Sequence, residues 1–154
     1  GIDIDFGRSF AKAELAASQE LPLKGTTFIS MNDREKEAVV PIAKELCDLG
    51  FQLIATAGTR QVLHTHGLDV GLVYKVHEGR PHVIDAIKNK EIQLIINTPA
   101  GATAQEDDRM IRRTALDYKI PTITTLSGAR ATIEAIRYQQ KETLTVKALQ
   151  EYLV

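Results

Sequence analysis

Apolar residues recur along this chain in two alternating rhythms. Short runs rich in β-branched residues, at 26–30, 51–56, 70–76, 92–96 and 121–125, read as strands. Between them, apolar positions at helical spacing predict helices over 36–49, 59–66, 82–89, 106–118 and 128–139. Gly50 and Gly67 supply the stops for the first two. Pro41 either kinks the 36–49 helix or sits in the first turn of a helix that begins later. A further helical pattern, carried by Phe6, Phe10, Ala13, Leu15 and Ala16, covers 6–18. Residues 18–24, with Pro22, follow it as a linker, and residues 145–154 suit either a short strand or a helix.

Five short apolar strands separated by helices and short loops predict a doubly wound α/β fold, a mainly parallel five-stranded sheet with helices on both faces. The organisation expected is a connecting helix and linker at 1–24 and one domain at 25–154. In such sheets ligands sit beyond the carboxyl ends of the strands, where the N–H groups of helix starts favour anions. Function is therefore sought just after each strand.

Composition narrows the classes. The 154 residues carry 19 Lys and Arg against 20 Asp and Glu, a net charge of −1. No global basic field exists to hold a nucleic-acid backbone, although a local phosphate site is compatible with that balance. Cys47 is the one cysteine, which excludes a disulfide framework and a clustered-cysteine zinc site. No apolar run reaches membrane-spanning length, and no basic, hydrophobic leader is seen, so a cytoplasmic location is expected, with neither membrane nor nucleic acid as partner. The start at Gly1-Ile2-Asp3, without an initiator Met, fits a segment of a longer protein and a trimmed terminus equally well.

Candidate chemistry gathers at the strand ends. Thr56-Ala57-Gly58-Thr59 reads as a phosphate cradle, or more simply as a turn glycine with Thr59 capping a helix. Lys75 offers a point charge, and Asn97 and Thr98 offer groups for a ribose or base edge. His77, Glu78 and His82 are metal-ligating residue types, but the break at Pro81 and the lack of another ligand argue against a metal. Asp107, Asp108, Arg109, Arg112 and Arg113 read by default as a solvated, self-paired helix face, with Asp108 and Arg112 at i,i+4. There is no compelling Ser/His/Asp order, no GxGxxG and no Walker lysine loop. The residues alone reach an anion or nucleotide site in an α/β domain.

The segment Lys75-Val76-His77-Glu78-Gly79-Arg80-Pro81-His82, followed by Ile95-Ile96-Asn97-Thr98, closely resembles the large chain of carbamoyl-phosphate synthetase. The tract from Asp108 to Leu116 and the pair Thr124-Thr125 are similar as well, and the likeness covers about residues 6–140. Gly7 to Ala13 resembles the connection into the C-terminal domain of that chain, which favours a segment of a longer protein. The resemblance implies a methylglyoxal-synthase-like regulatory domain, without catalysis or cofactor of its own, binding UMP as inhibitor and IMP as activator. It further implies upstream ATP-grasp halves using ATP with Mg or Mn, a glutaminase small chain as partner, and a place in pyrimidine and arginine biosynthesis. Carried over residue by residue, Lys36, Thr56, Thr59 and Lys75 match the phosphate-facing positions. Asn97 and Thr98 match the ribose-facing loop, and Asp107, Ile111 and Thr125 match positions near the base. Pro99 departs from a frequent hydroxyl residue.

A free-standing nucleotide-sensing module is the alternative. A methylglyoxal-synthase-type lyase ranks below it, because those enzymes carry Gly-Gly-Asp where this chain reads Glu78-Gly79-Arg80, and proton abstraction needs a positioned base. The IMP cyclohydrolase domain ranks lower still, since its lysine-rich loop is not found.

Overall fold

Strands β1 (Gly25–Met31), β2 (Phe51–Ala55), β3 (Gly71–Leu72), β4 (Leu94–Thr98) and β5 (Thr122–Ile123) form one sheet, every pair parallel, in the order β3-β2-β1-β4-β5. The computed structural model describes residues 1–98 and 102–152, with the backbone alone for 102–105. The chain winds outward from β1 to β3 and then returns to lay β4 against the other side of β1. That reversal makes the β1/β4 junction the topological switch point.

The period of two in each strand sorts side chains between two cores. Ile29, Met31, Leu94 and Ile96 pack with residues of α1 (Phe6–Ala16), α2 (Val40–Asp48), α3 (Ala57–Thr65) and α6 (Leu126–Lys141). Phe28 and Ile95 pack with α4 (Val83–Lys88) and α5 (Ala102–Asp117) on the opposite face. Both faces of the sheet are covered, as a doubly wound fold requires. Asn97 follows Ile95 by two residues and therefore points to the α5 side. Among the described residues no helix is long and apolar enough to cross a membrane.

Several boundaries differ from the sequence reading, each for a physical reason. The helix expected at 36–49 begins at Val40, because Pro41 lacks an N–H and fits only its first turn. Gly50 then leaves the helix at φ +88°, where a side chain would be strained. Strands three and five are shorter than expected, at Gly71–Leu72 and Thr122–Ile123, since each lies at an edge with one neighbour to pair with. Strand four is displaced from 92–96 to Leu94–Thr98, so Asn97 and Thr98 belong to the strand and pair with Ser30 and Met31. The helix expected at 106–118 begins at Ala102, that at 128–139 begins at Leu126, and residues Leu149–Tyr152 form a single 3-10 turn. Pro99 lies outside the described residues.

Candidate functional site

A cavity of about 450 Å³ opens at the carboxyl ends of the strands. Its floor is apolar, from Phe28, Val83 and Ile111, and its rim is polar. Lys36, Thr56, Lys75, Asn97, Thr98, Asp107 and Ile111 all line it, so seven of the nine residues singled out in the sequence meet in one place.

Thr59 and Thr125 lie elsewhere. Thr59 is wholly buried, its Oγ1 accepting the Met31 N–H at 3.0 Å, and Thr56 rather than Thr59 holds the N-cap position of α3. Thr59 thus braces the end of β1 beneath the cavity wall. Thr125 caps α6, its Oγ1 accepting the Gly128 N–H at 3.0 Å.

One side of the cavity carries the lysines of its lining, Lys36 and Lys75, with Asp33 and Glu78 among the lining residues as well. Lys36 Nζ reaches over the first turn of α3, so close to Gly58 that a β-carbon there would lie 2.6 Å from it. An ammonium beside the positive end of a helix dipole is unfavourable unless an anion joins them. In this structure Asp33 supplies part of that charge, 2.5 Å from Lys36 Nζ, and the Lys36 hydrogen bond holds the Asp33 carboxyl below the usual carboxylate range. Lys75 contributes a second cation to the lining, while its backbone N–H donates to Glu78 Oε2 at 2.9 Å.

The α5 side is built differently. Asp108, read from the sequence as part of a solvated face, is 1% exposed. It turns inward from α5, accepts Asn97 Nδ2 at 2.7 Å and pairs with Arg112, whose side chain remains half-exposed. The i,i+4 pair is present as the spacing predicts, but it spans from the interior to the surface. A buried carboxylate without such partners would cost several kcal/mol. Next to it, His77 Nε2 lies 2.9 Å from Asp107 Oδ1, joining the loop after β3 to α5. Thr98 Oγ1 accepts from both the backbone and the side-chain nitrogen of Asn32, at 3.3 and 3.2 Å.

His82, the third residue weighed as a metal ligand, caps α4 beside Asp85 instead: the His82 backbone N–H donates to Asp85 Oδ2 at 3.0 Å and holds that carboxyl below its ordinary pKa. Among the described residues no three His, Cys, Asp or Glu side chains form a metal cluster. Asn32 and Asp33 line the cavity and were missed in the sequence, although both directly follow strand one, the same rule that drew attention to the other strand ends. Asp108 carried no such signal, because spacing cannot tell which member of an i,i+4 pair faces inward.

A parallel doubly wound sheet with a polar crevice at its switch point is the architecture in which α/β proteins place small-ligand sites. The MGS-like domain family matches residues 38–124, more than half of the sequence, and the chain belongs to that family. Over 152 residues it is 65% identical to the carbamoyl phosphate synthase large chain of Nostoc sp. (strain PCC 7120), covering 99% of this chain and 14% of that one. It is 60% identical over 154 residues to the corresponding protein of Synechocystis sp. (strain PCC 6803), again covering 99% and 14%. The carbamoyl phosphate synthase large chain, C-terminal section, of Methanopyrus kandleri is 48% identical over 152 residues, covering 98% of this chain and 28% of that one. The chain therefore spans only a small part of the length of these curated relatives. Among solved structures, methylglyoxal synthase from Elizabethkingia anophelis superposes with a TM-score of 0.59 over 86% of this chain and 92% of that one. At 20% identity it shares the fold.

Proposed function

We propose that this domain is the regulatory part of a glutamine-dependent carbamoyl phosphate synthase large chain and binds nucleoside monophosphates, UMP and IMP among them, in the cavity between β1 and β4. The observation that carries the reading is the division of that cavity. Lys36, Lys75 and the start of α3 provide a cationic side suited to a phosphate, and Asn97 and Ile111 provide polar and apolar surfaces suited to a sugar and base. The relatives, carbamoyl phosphate synthase large chains, support placing the domain in such a synthase.

In this reading the domain forms and breaks no bond. Arg80 stands in the sequence where a methylglyoxal-synthase-type lyase would keep its carboxylate, and the neighbouring Glu78 accepts the backbone N–H of Lys75 through Oε2 at 2.9 Å. Synthesis from ATP with Mg or Mn, a glutaminase partner and a cytoplasmic location belong to the same proposal.

Calorimetric titration of the chain with UMP and IMP tests it. Binding of at least one is expected, and Lys75→Ala should weaken it by roughly tenfold or more, since hydrogen bonds to charged groups contribute about 1.5–3 kcal/mol. Failure of both nucleotides to bind, or an unchanged affinity in Lys75→Ala, would overturn the reading.

A further inference from the structure

The turn between β1 and α2 is anchored through its backbone and carries one carboxylate that is held only by a lysine of the cavity. Asn32 is tied to the end of β4, its backbone N–H donating to the Thr98 carbonyl at 3.0 Å and its side-chain nitrogen to Thr98 Oγ1 at 3.2 Å. The same side-chain nitrogen bonds Glu35, and the Glu35 N–H donates to the Asn32 carbonyl at 3.1 Å. Asp33, inside this frame, has Lys36 Nζ at 2.5 Å as the one hydrogen-bond partner of its carboxylate among the described residues. The Asp33 side chain is 93% exposed, whereas that of Lys36 is 21% exposed and lies over the start of α3. The Lys36 hydrogen bond is the main cause that holds the Asp33 carboxyl low, and the charge of Lys75 adds to it. The carboxylate therefore stands in the field of both lysines of the lining.

We infer that Asp33 is a built-in competitor of the ligand's anionic group, occupying Lys36 until a phosphate takes its place and so setting how tightly the cavity holds an anion. The inference rests on the anion-binding part of the proposed function. An incoming phosphate draws on the Lys36 ammonium and on the N–H groups of the first turn of α3. If Asp33 swings into solvent, its pair with Lys36 is lost. If it stays, two anions share one ammonium and repel each other. Both courses lower affinity, so the sign of the effect does not depend on which is taken.

The opposite role, in which Asp33 steers Lys36 into place for the ligand, requires a carboxylate that is itself fixed. Asp33 has no second partner among the described residues and faces water, while Lys36 is the more enclosed member of the pair. That exposure also means that Asp33 can be replaced without disturbing the fold.

The experiment titrates the wild-type chain, Asp33→Asn and Asp33→Glu with inorganic phosphate, UMP and uridine. Asp33→Asn removes the charge and keeps the shape, and should bind phosphate and UMP roughly threefold more tightly or better, from the lost competition of an exposed ion pair together with the relieved repulsion. Asp33→Glu keeps the charge and should stay near the wild type. Uridine brings no anion and should gain nothing in either variant. Weaker or unchanged binding of phosphate by Asp33→Asn overturns the inference and assigns Asp33 a positioning or neutral role. A gain for uridine equal to that for UMP, or a gain in Asp33→Glu equal to that in Asp33→Asn, overturns it as well, because charge is then not the cause. If the wild type shows no phosphate binding, its appearance in Asp33→Asn supports the inference and its absence there overturns it. The proposed function fails separately, by the failure of both nucleotides to bind, which leaves the phosphate comparison standing.

Discussion

A methyl group added at Gly58 would meet Lys36 Nζ at 2.6 Å and little else, so this glycine is present for space rather than for backbone freedom. Lys36 is a flexible side chain and can withdraw, which separates folding from binding. In Gly58→Ala the first turn of α3 gains helix propensity, about 0.8–1 kcal/mol in favour of alanine at most. The ammonium, however, is displaced from over the helix start. Thermal stability should therefore stay level or rise while nucleoside monophosphate affinity falls severalfold; unchanged affinity would show that Lys36 does not serve the anion from this position. The type of residue at these places was legible in the sequence, because Lys, Thr and Asn after strands already pointed to phosphate and sugar. Their division of labour was not. Thr56 and Thr59 stand three apart around the same turn, yet one lines the cavity and the other braces β1 from beneath, a difference made by the Met31 N–H arriving from another strand.

At the level of elements, α1 is joined to the rest of the domain by charge as well as by packing. Ala11 lies in the main core, while Arg8 pairs with Glu142, the C-cap of α6, at 2.5 Å and rests over the ring of Tyr138 in α6. Lys12 Nζ bonds Asp3 at 2.7 Å and the hydroxyl of Tyr152 at 2.9 Å, tying the N-terminal segment and the 3-10 turn to the same helix. The hydrogen bond from Lys12 lowers the Asp3 carboxyl below its ordinary value. A carboxyl depressed in the folded state contributes stability that is present above its unfolded pKa and is lost as pH falls through the folded one. Asp3→Asn should therefore melt at a lower temperature than the wild type near neutral pH, with the difference closing below the usual carboxylate range. A gap independent of pH would mean that Asp3 acts through packing alone. Helix and strand identity along the chain followed from periodicity, but β4 shifted by two residues because its partner β1 sets the register.

For the whole molecule, the proposed role requires a second site. Allostery is a coupling free energy of about 1–3 kcal/mol between two sites, so a nucleotide bound here should change the apparent affinity of a full synthase for ATP by about 5- to 150-fold. It does so only if two global states bind the nucleotide unequally. Removing residues 25–154 from a large chain that carries this domain should leave carbamoyl phosphate synthesis in place and abolish its response to UMP and IMP. A folded truncation that kept the full response would locate the effector site in another part of that chain.

The sequence by itself determined the alternation of strands and helices, the doubly wound class and the residues at the strand ends, because periodicity and turn chemistry are local properties of the chain. Pro41 left a kink and a later helix start both open, and the structure decided for the later start at Val40. Tertiary structure decided the strand order and hence the switch point where the cavity opens. It decided that Asp108 turns inward while Arg112 reaches water. These depend on which strand lies beside which and on which face of α5 meets β4, contacts between residues distant in the chain that no local pattern records.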